Sequence, residues 1–292
     1  MMTALSRLLY RILSRLRLLP YVNFELPTWC QNKRLVVPIL RGLGRSNLFL
    51  DEMWMFRLLE IALAIRSGLF LDVGVNEGQT LIKLKALDPT RGYVGFEPNP
   101  TCVAYVEELV HRNGYSGIQI FPTALSDQSG FLQLHFFSDC LTDSSASIVP
   151  NFRGNTQTRT RLVSCCQFRE AETALSSEPL AVVKIDVEGA EYGVLKSMEH
   201  RLASDRPLLL LEILPVYSAQ DWPERLERQQ KLEALLKLHH YLLFRVNKSG
   251  GSLAGLEEVE VIGVHGEIEW SDYLACPSEL KSSLPGDLHS RV

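Results

Sequence analysis

The sequence predicts an α/β fold with a mostly parallel central sheet and helices on both faces. Two observations carry this. From about residue 51 onward, short apolar runs alternate with turns and helical stretches, the order that builds strand–helix–strand units. Two of the runs, LAVVKID (180–186) and PLLLLEILP (207–215), are apolar at almost every position, as central strands covered on both faces must be. The 292 residues are enough for one substantial core, and 46% hydrophobic with 22% charged residues is an ordinary globular composition, so one main domain is expected.

In order along the chain, LFLDVG (69–74) reads as a first strand, followed by a helix over 79–87 and a second strand, GYVGFE (92–97). A helix over 100–111 and a strand over 117–121 complete the first half. FLQLHFF (131–137) lies between turn-rich segments and reads as a strand of an added hairpin; 138–160 is a polar loop. The second half offers the strand 180–186, a helix starting near Gly189, the strand 207–215, a charged helix over 223–239, the strand YLLFRV (241–246) and a last strand, VEVIGV (259–264). There is no internal repeat.

The net charge of -4 conceals an asymmetry: residues 1–50 hold eight Lys/Arg and one acid, Glu25 (8 - 1 = +7), and the remainder carries 22 - 33 = -11. An acidic body argues against an enzyme that wraps a long polyphosphate, so no nucleic-acid partner is expected. Residues 3–19 place Leu5, Leu8, Leu9, Ile12, Leu16 and Leu19 at helical spacing, with Arg7, Arg11 and Arg15 on another face, and Pro20 ends the run. This basic amphipathic helix is too often interrupted by arginine to span a bilayer, and it lacks the apolar core and cleavage site of a secretory signal. It either lies on an anionic membrane or packs on protein. The expected organisation is a basic N-terminal extension over 1–50 and one catalytic domain over 51–292. The six cysteines, Cys30, Cys102, Cys140, Cys165, Cys166 and Cys276, form no CxxC pair, which suits free thiols in a reducing cytoplasm, with peripheral membrane contact through the leader.

Three segments carry chemistry. Asp72-Val-Gly74-Val-Asn76-Glu-Gly78-Gln79-Thr80 falls where the first strand hands over to the first helix. Glycines at 74 and 78 remove Cβ atoms that hold a ligand off the backbone, so an amino acid or nucleoside fits against the turn. The spacing is GxxxG, without the third glycine of a dinucleotide fingerprint, and the carboxylates of Asp72 and Glu77 suit an ammonium or sulfonium better than a phosphate. Glu97, within FEPNP at the end of the second strand, is placed to accept hydrogen bonds from both hydroxyls of a ribose. In Lys184-Ile-Asp186-Val-Glu188-Gly189-Ala190-Glu191 the period of two puts Lys184 and Asp186 on one strand face, with Glu188 just past its end. That cluster either borders the same crevice as Gly74 and Glu97 or is an internal Lys–carboxylate pair.

Together these segments resemble the FkbM-type family of S-adenosylmethionine-dependent methyltransferases. The match runs from about Phe70 to Pro277 through FLDVGVNEGQT, GFEPNP, ALSDQSG (124–130), VVKIDVEGAE, LLLLEI (208–213) and YLACP (273–277), with DVEGAE the most specific block. The resemblance implies a Rossmann-like class I methyltransferase fold. It further implies S-adenosylmethionine as cofactor, with contacts from Asp72, Gly74, Asn76 and Gly78, ribose-side contact from Glu97 and its neighbour Asn99, and adenine-side contact near Ala124 and Leu125. Members of the family methylate hydroxyl oxygens of sugars, glycolipids and other metabolites, so a small or glycan-like acceptor is implied. RLVSCCQF (161–168) departs from the pattern in lacking the acid commonly found before the helix that leads to the fourth strand.

A sulfonium methyl is already a good electrophile, so the protein must mainly hold an oxygen in line with it and take up the hydroxyl proton. Asp186 is the first candidate for the base or acceptor-orienting group, with Lys184 and Glu188 tuning its charge and Glu212 as a second carboxylate. Asp186, Glu188 and Glu212 alternatively offer oxygens to a hard divalent cation. Arg153, Arg159 and Arg161, in and beside the polar loop, offer cations to an acidic glycan. Competing readings are a nicotinamide-dependent oxidoreductase or epimerase of similar fold, weakened by the missing third glycine, and a non-catalytic membrane or partner adaptor.

Overall fold

The structure, a computed structural model, describes residues 4–50, 52–138, 142–150, 152 and 157–286, with only the backbone of residues 4–7. The side chains of Leu5 and Arg7, and all of Cys140 and Arg153, lie outside the described residues.

Helix α1 (Ala4–Arg15) precedes an antiparallel hairpin of β1 (Asn23–Cys30) and β2 (Lys33–Leu40). Gln31 and Asn32 at its tip have φ of 45° and 61°, the left-handed pair that a two-residue turn requires. Helices α2 (Arg45–Phe49) and α3 (Trp54–Ile65) lead into β3 (Leu69–Val73), α4 (Gln79–Leu87), β4 (Tyr93–Phe96), α5 (Pro100–Asn113) and β5 (Ile118–Phe121). Strands β6 (Ala124–Leu125), β7 (Gly130–Phe136) and β8 (Arg159–Cys166) form a small sheet of order β6-β8-β7. The second half follows as α6 (Phe168–Glu172), β9 (Leu180–Ile185), α7 (Glu191–Ser197), α8 (Glu199–Ser204), β10 (Leu208–Glu212), α9 (Pro223–Leu238), β11 (Tyr241–Ser249), β12 (Ser252–Val259) and β13 (Asp272–Pro277).

The main sheet has the order β12-β11-β13-β10-β9-β3-β4-β5. Neighbours from β10 to β5 pair in parallel, whereas β13, β11 and β12 add an antiparallel edge. Alternate residues of each central strand enter different cores. Phe70, Val182, Leu208 and Leu210 face α3, α4 and α5, while Leu71, Val183, Leu209 and Leu211 face α6 to α9. The continuous apolar runs are therefore explained by helices on both faces, each buried leucine contributing about 1.5–3 kcal/mol.

Two segments differ from expectation. Residues 23–48, set apart by charge in the sequence, supply Leu26, Leu35, Val37, Ile39 and Leu48 to the same core as α3 to α5. Asn113 of α5 fastens the hairpin from both sides, accepting from the Val36 N–H and donating to the Val36 carbonyl, each at 2.8 Å. The strand expected at 259–264 lies earlier, at 252–259, because Gly250 and Gly251, with φ of 57° and 78°, turn the chain back directly after β11. Between Val259 and β13 the chain leaves the sheet, and there Val264 forms an isolated parallel bridge with Val216, outside the named strands.

Candidate active site

The carboxyl ends of β3, β4, β9 and β10 open into two joined clefts, where strand order reverses between β3 and its neighbours β4 and β9. The first is lined by Gly74, Asn76, Glu97, Asn99, Ala124 and Leu125 together with Phe96, Leu134 and Ile148. Glu97 is buried, and its two carboxylate oxygens accept the backbone N–H groups of Asn99 and Asn76, each at 2.8 Å. Burial pushes its pKa up to about 7 against those hydrogen bonds. Asn99 also caps α5, its side chain accepting from the Thr101 N–H. A buried acid with acceptor capacity to spare beside an apolar wall suits a ribose and a planar base, so these residues fit S-adenosylmethionine.

Gly74 has φ of +87°, and a Cβ there would stand 1.9 Å from the Asp186 carbonyl oxygen. Its first requirement is thus the close approach of the β3 and β9 ends, which brings Asp186 to the cleft. The Asp186 N–H donates to the Val73 carbonyl at 3.0 Å and closes that junction. The Lys184 ammonium lies 3.0 Å from Asp186 Oδ2 and 3.7 Å from Asp72 Oδ1, and donates to the Gly74 carbonyl at 3.3 Å. Burial opposes its charge, but Asp186 and Asp72 outweigh that and raise its pKa.

The second cleft is larger and shares Gly74, Asn76, Thr142, Asp143, Ser144, Asp186 and Glu188 with the first. Lys184, Glu212, Asp272, Glu52 and Trp54 line its other parts. Repulsion from Asp186, followed by burial and the charges of Asp272 and Glu188, pushes the Glu212 carboxyl far above the ordinary range. A carboxyl held up in this way favours its protonated form, in which it donates a hydrogen bond.

The family model of the Methyltransferase FkbM domain matches residues 72–245, more than half of the chain. The chain belongs to the FkbM methyltransferase family. No curated protein matches it. Solved structures similar to this FkbM-family chain include Methyltransferase FkbM from Methylobacillus flagellatus KT, at 14% identity and a TM-score of 0.44, covering 72% of this chain and 43% of that one. Precorrin-6y C5,15-methyltransferase from Geobacter metallireducens GS-15 has 10% identity and a TM-score of 0.35, covering 75% of this chain and 88% of that one. The Pyrococcus abyssi tRNA (uracil-54, C5)-methyltransferase, in complex with S-adenosyl-L-homocysteine, has 10% identity and a TM-score of 0.39, covering 87% and 43%.

Within the FkbM domain, two of the residues expected to touch the cofactor line neither cleft. Asp72 lies beneath the loop, fully buried, taking the Tyr93 hydroxyl at 2.7 Å and facing Lys184, so it supports the cleft floor without lining it. Gly78 lines neither cleft; at φ +79° it starts α4 and lets α5 pack close, a Cβ there standing 3.2 Å from Leu109 Cδ2. Glu77 is also structural: its carboxylate accepts from the Gly44 N–H at 3.1 Å and the Thr142 hydroxyl at 2.7 Å, tying α2 and the 142–148 segment to the loop.

The second cleft of the FkbM domain departs from expectation in three further respects. Among the described residues no three His, Cys, Asp or Glu side chains form a group that could hold a metal ion, the trio Asp186, Glu188 and Glu212 included. Arg159 stacks over the Phe136 ring at 4.2 Å, and neither it nor Arg161 lines the clefts. The cleft wall is acidic instead. Finally, Arg45, Glu52, Trp54, Met55 and Asp272 line the cleft without having been singled out in sequence. Only the apolar run WMFRLLEIALAI marks α3, and nothing local announces that its first turn faces a cleft.

Proposed function

We propose that this chain transfers the methyl group of S-adenosylmethionine to a hydroxyl oxygen of a sugar, a glycolipid or another small polyhydroxylated metabolite. The observation that supports it is the position of Asp186, which lines both clefts at their junction and is held there by Lys184 at 3.0 Å. S-adenosylmethionine, when bound, supplies an electrophilic methyl on a sulfonium. Glu97 accepts the ribose hydroxyls, and Phe96, Ala124, Leu125, Leu134 and Ile148 offer an apolar wall to the adenine. On the acceptor side, Asp186 takes the hydroxyl proton, whose acidity rises as the oxygen is alkylated. Lys184 fixes the orientation of that carboxylate, and protonated Glu212 donates to another acceptor oxygen. With Glu52, Asp186, Glu188, Glu212 and Asp272 on its walls, the second cleft favours a neutral polyol over the acidic glycan suggested by the loop arginines.

Calorimetry with S-adenosylmethionine, its demethylated product, NAD and NADP tests the cofactor, and mass spectrometry of hydroxylated glycans and glycolipids incubated with S-adenosylmethionine tests the acceptor. Binding of the first two ligands and one added methyl on oxygen are expected. Tight binding of a nicotinamide cofactor alone, or transfer to carbon or nitrogen alone, overturns the reading.

A further inference from the structure

Helix α1 is attached to the domain by one side of its surface. Tyr10 is buried, its ring edge-on to Phe49 of α2 at 5.7 Å, and Leu13 is half-buried. The other apolar side chains described on it face outward: Leu8 is 55% exposed, Leu9 42% and Ile12 44%. Leu16 (62%), Leu18 (40%) and Tyr21 (83%) continue the patch past the helix end. At about 100° per residue, Leu8, Ile12, Leu16 and Leu9 fall on one arc, with Tyr10 on the buried side and Arg11 and Arg15 bordering the arc on its other flank. Both arginines, and Arg17 after them, are exposed. Isolated exposed leucines are unremarkable, but a contiguous row beside a row of cations is a built surface.

We propose that this surface docks on a bilayer with anionic headgroups, α1 lying in the plane of the interface. Charge selects the occupant. Residues 1–20 carry Arg7, Arg11, Arg15 and Arg17 and no acid, on a chain whose net charge is -4, so cations without counter-charges accompany the apolar row. A second copy pairing through the same face brings two arginine rows together, whereas anionic lipid neutralises them as the leucines enter the acyl boundary. No helix among the described residues is long and apolar enough to cross a membrane, which leaves α1 an interfacial geometry. The docked surface is mechanically continuous with the acceptor cleft. Phe49, which holds Tyr10, belongs to α2, and Arg45 and Ser46 of α2 line that cleft.

The test is flotation of the full chain with vesicles of phosphatidylcholine alone and of phosphatidylcholine with phosphatidylglycerol. Flotation is expected only with the anionic vesicles, weakening as salt rises from about 0.1 M, where the screening length is about 10 Å, to about 1 M, where it is about 3 Å. Replacing Leu8, Leu9, Ile12 and Leu16 together with serine should cut partitioning at least about tenfold. Reversing Arg11, Arg15 and Arg17 to glutamate should do the same. Both variants should keep the wild-type circular dichroism and S-adenosylmethionine affinity, because these side chains neither enter the core nor line a cleft. Failure of the wild-type chain to float, or undiminished flotation of the serine variant, overturns the proposal. So does a wild-type dimer in sedimentation that the serine variant dissolves, which assigns the face to a second copy.

Discussion

Glu97 Oε2 accepts the Asn76 N–H at 2.8 Å, so the acid after β4 fixes the left-handed turn after β3, where Asn76 has φ of 49°. The carboxylate proposed to hold the ribose thus also fixes the loop. Glu97→Ala should weaken S-adenosylmethionine binding at least about tenfold, since charge-assisted hydrogen bonds contribute about 1.5–3 kcal/mol each. It should also loosen the 74–78 loop, measurable as faster amide exchange at Asn76. Unchanged affinity would place the ribose elsewhere.

The same carboxyl predicts a pH dependence of binding. With its pKa raised to about 7 by burial, Glu97 is ionised and a full acceptor above that pH and takes up a proton below it. Affinity should fall as pH is lowered through about 7, by at most about tenfold per unit. Glu97→Gln should bind more weakly and lose this slope, as followed by calorimetry in matched buffers.

Asp186→Asn should reduce turnover by about 10²–10⁴ while changing cofactor affinity little, because its proposed role is toward the acceptor. Equal loss of both would move Asp186 into the cofactor site. EDTA should leave the wild-type rate unchanged, as no metal-binding group is assembled among the described residues.

Stability should fall with rising pH across an unusual window. Burial raises Glu191 and Glu97 from 4.5 to about 7 and Asp272 from 3.8 to about 6. Between about pH 4.5 and 7 the folded chain holds protons that the unfolded chain has released, so these groups lower stability as pH rises and their penalty is complete above about 7. Glu279, held down to about 2 by Arg206, contributes in the opposite sense and only below 4.5. The Tm of the ligand-free chain should therefore drop between about pH 4.5 and 7. Glu191→Gln, whose amide oxygen still accepts the Gly189 N–H, should flatten the drop. A Tm that rises across this range refutes the assignment.

Gly74→Ala should be destabilising by at least about 2 kcal/mol, combining a left-handed backbone with a Cβ 1.9 Å from the Asp186 carbonyl oxygen. Because the clash separates β3 from β9, activity should fall further than Tm alone accounts for. Denaturant unfolding and turnover below the transition measure the two effects.

The central strands, the helices between them and the motif-bearing turns were legible in sequence because their signals are local. An all-apolar run, a Gly at a positive φ or an acid at a strand end each declares its environment within a few residues. Gly74, Asn76, Glu97, Asn99, Ala124, Leu125, Lys184, Asp186, Glu188 and Glu212 all line one or both clefts, as strand-end placement in an open sheet requires. Tertiary structure alone decided the rest. Asp72 and Gly78 stand in the motif but line neither cleft, because Tyr93 and Lys184 cover the first and Leu109 of α5 abuts the second. Arg45, Glu52 and Trp54 reach the second cleft from one end of the chain and Asp272 from the other. Proton affinity at Glu212 depends on charges from Asp186, Asp272 and Glu188 that converge only when β9, β10 and β13 lie side by side. Electrostatic coupling follows distance in space, and sequence spacing sets that distance only within a single strand or helix turn.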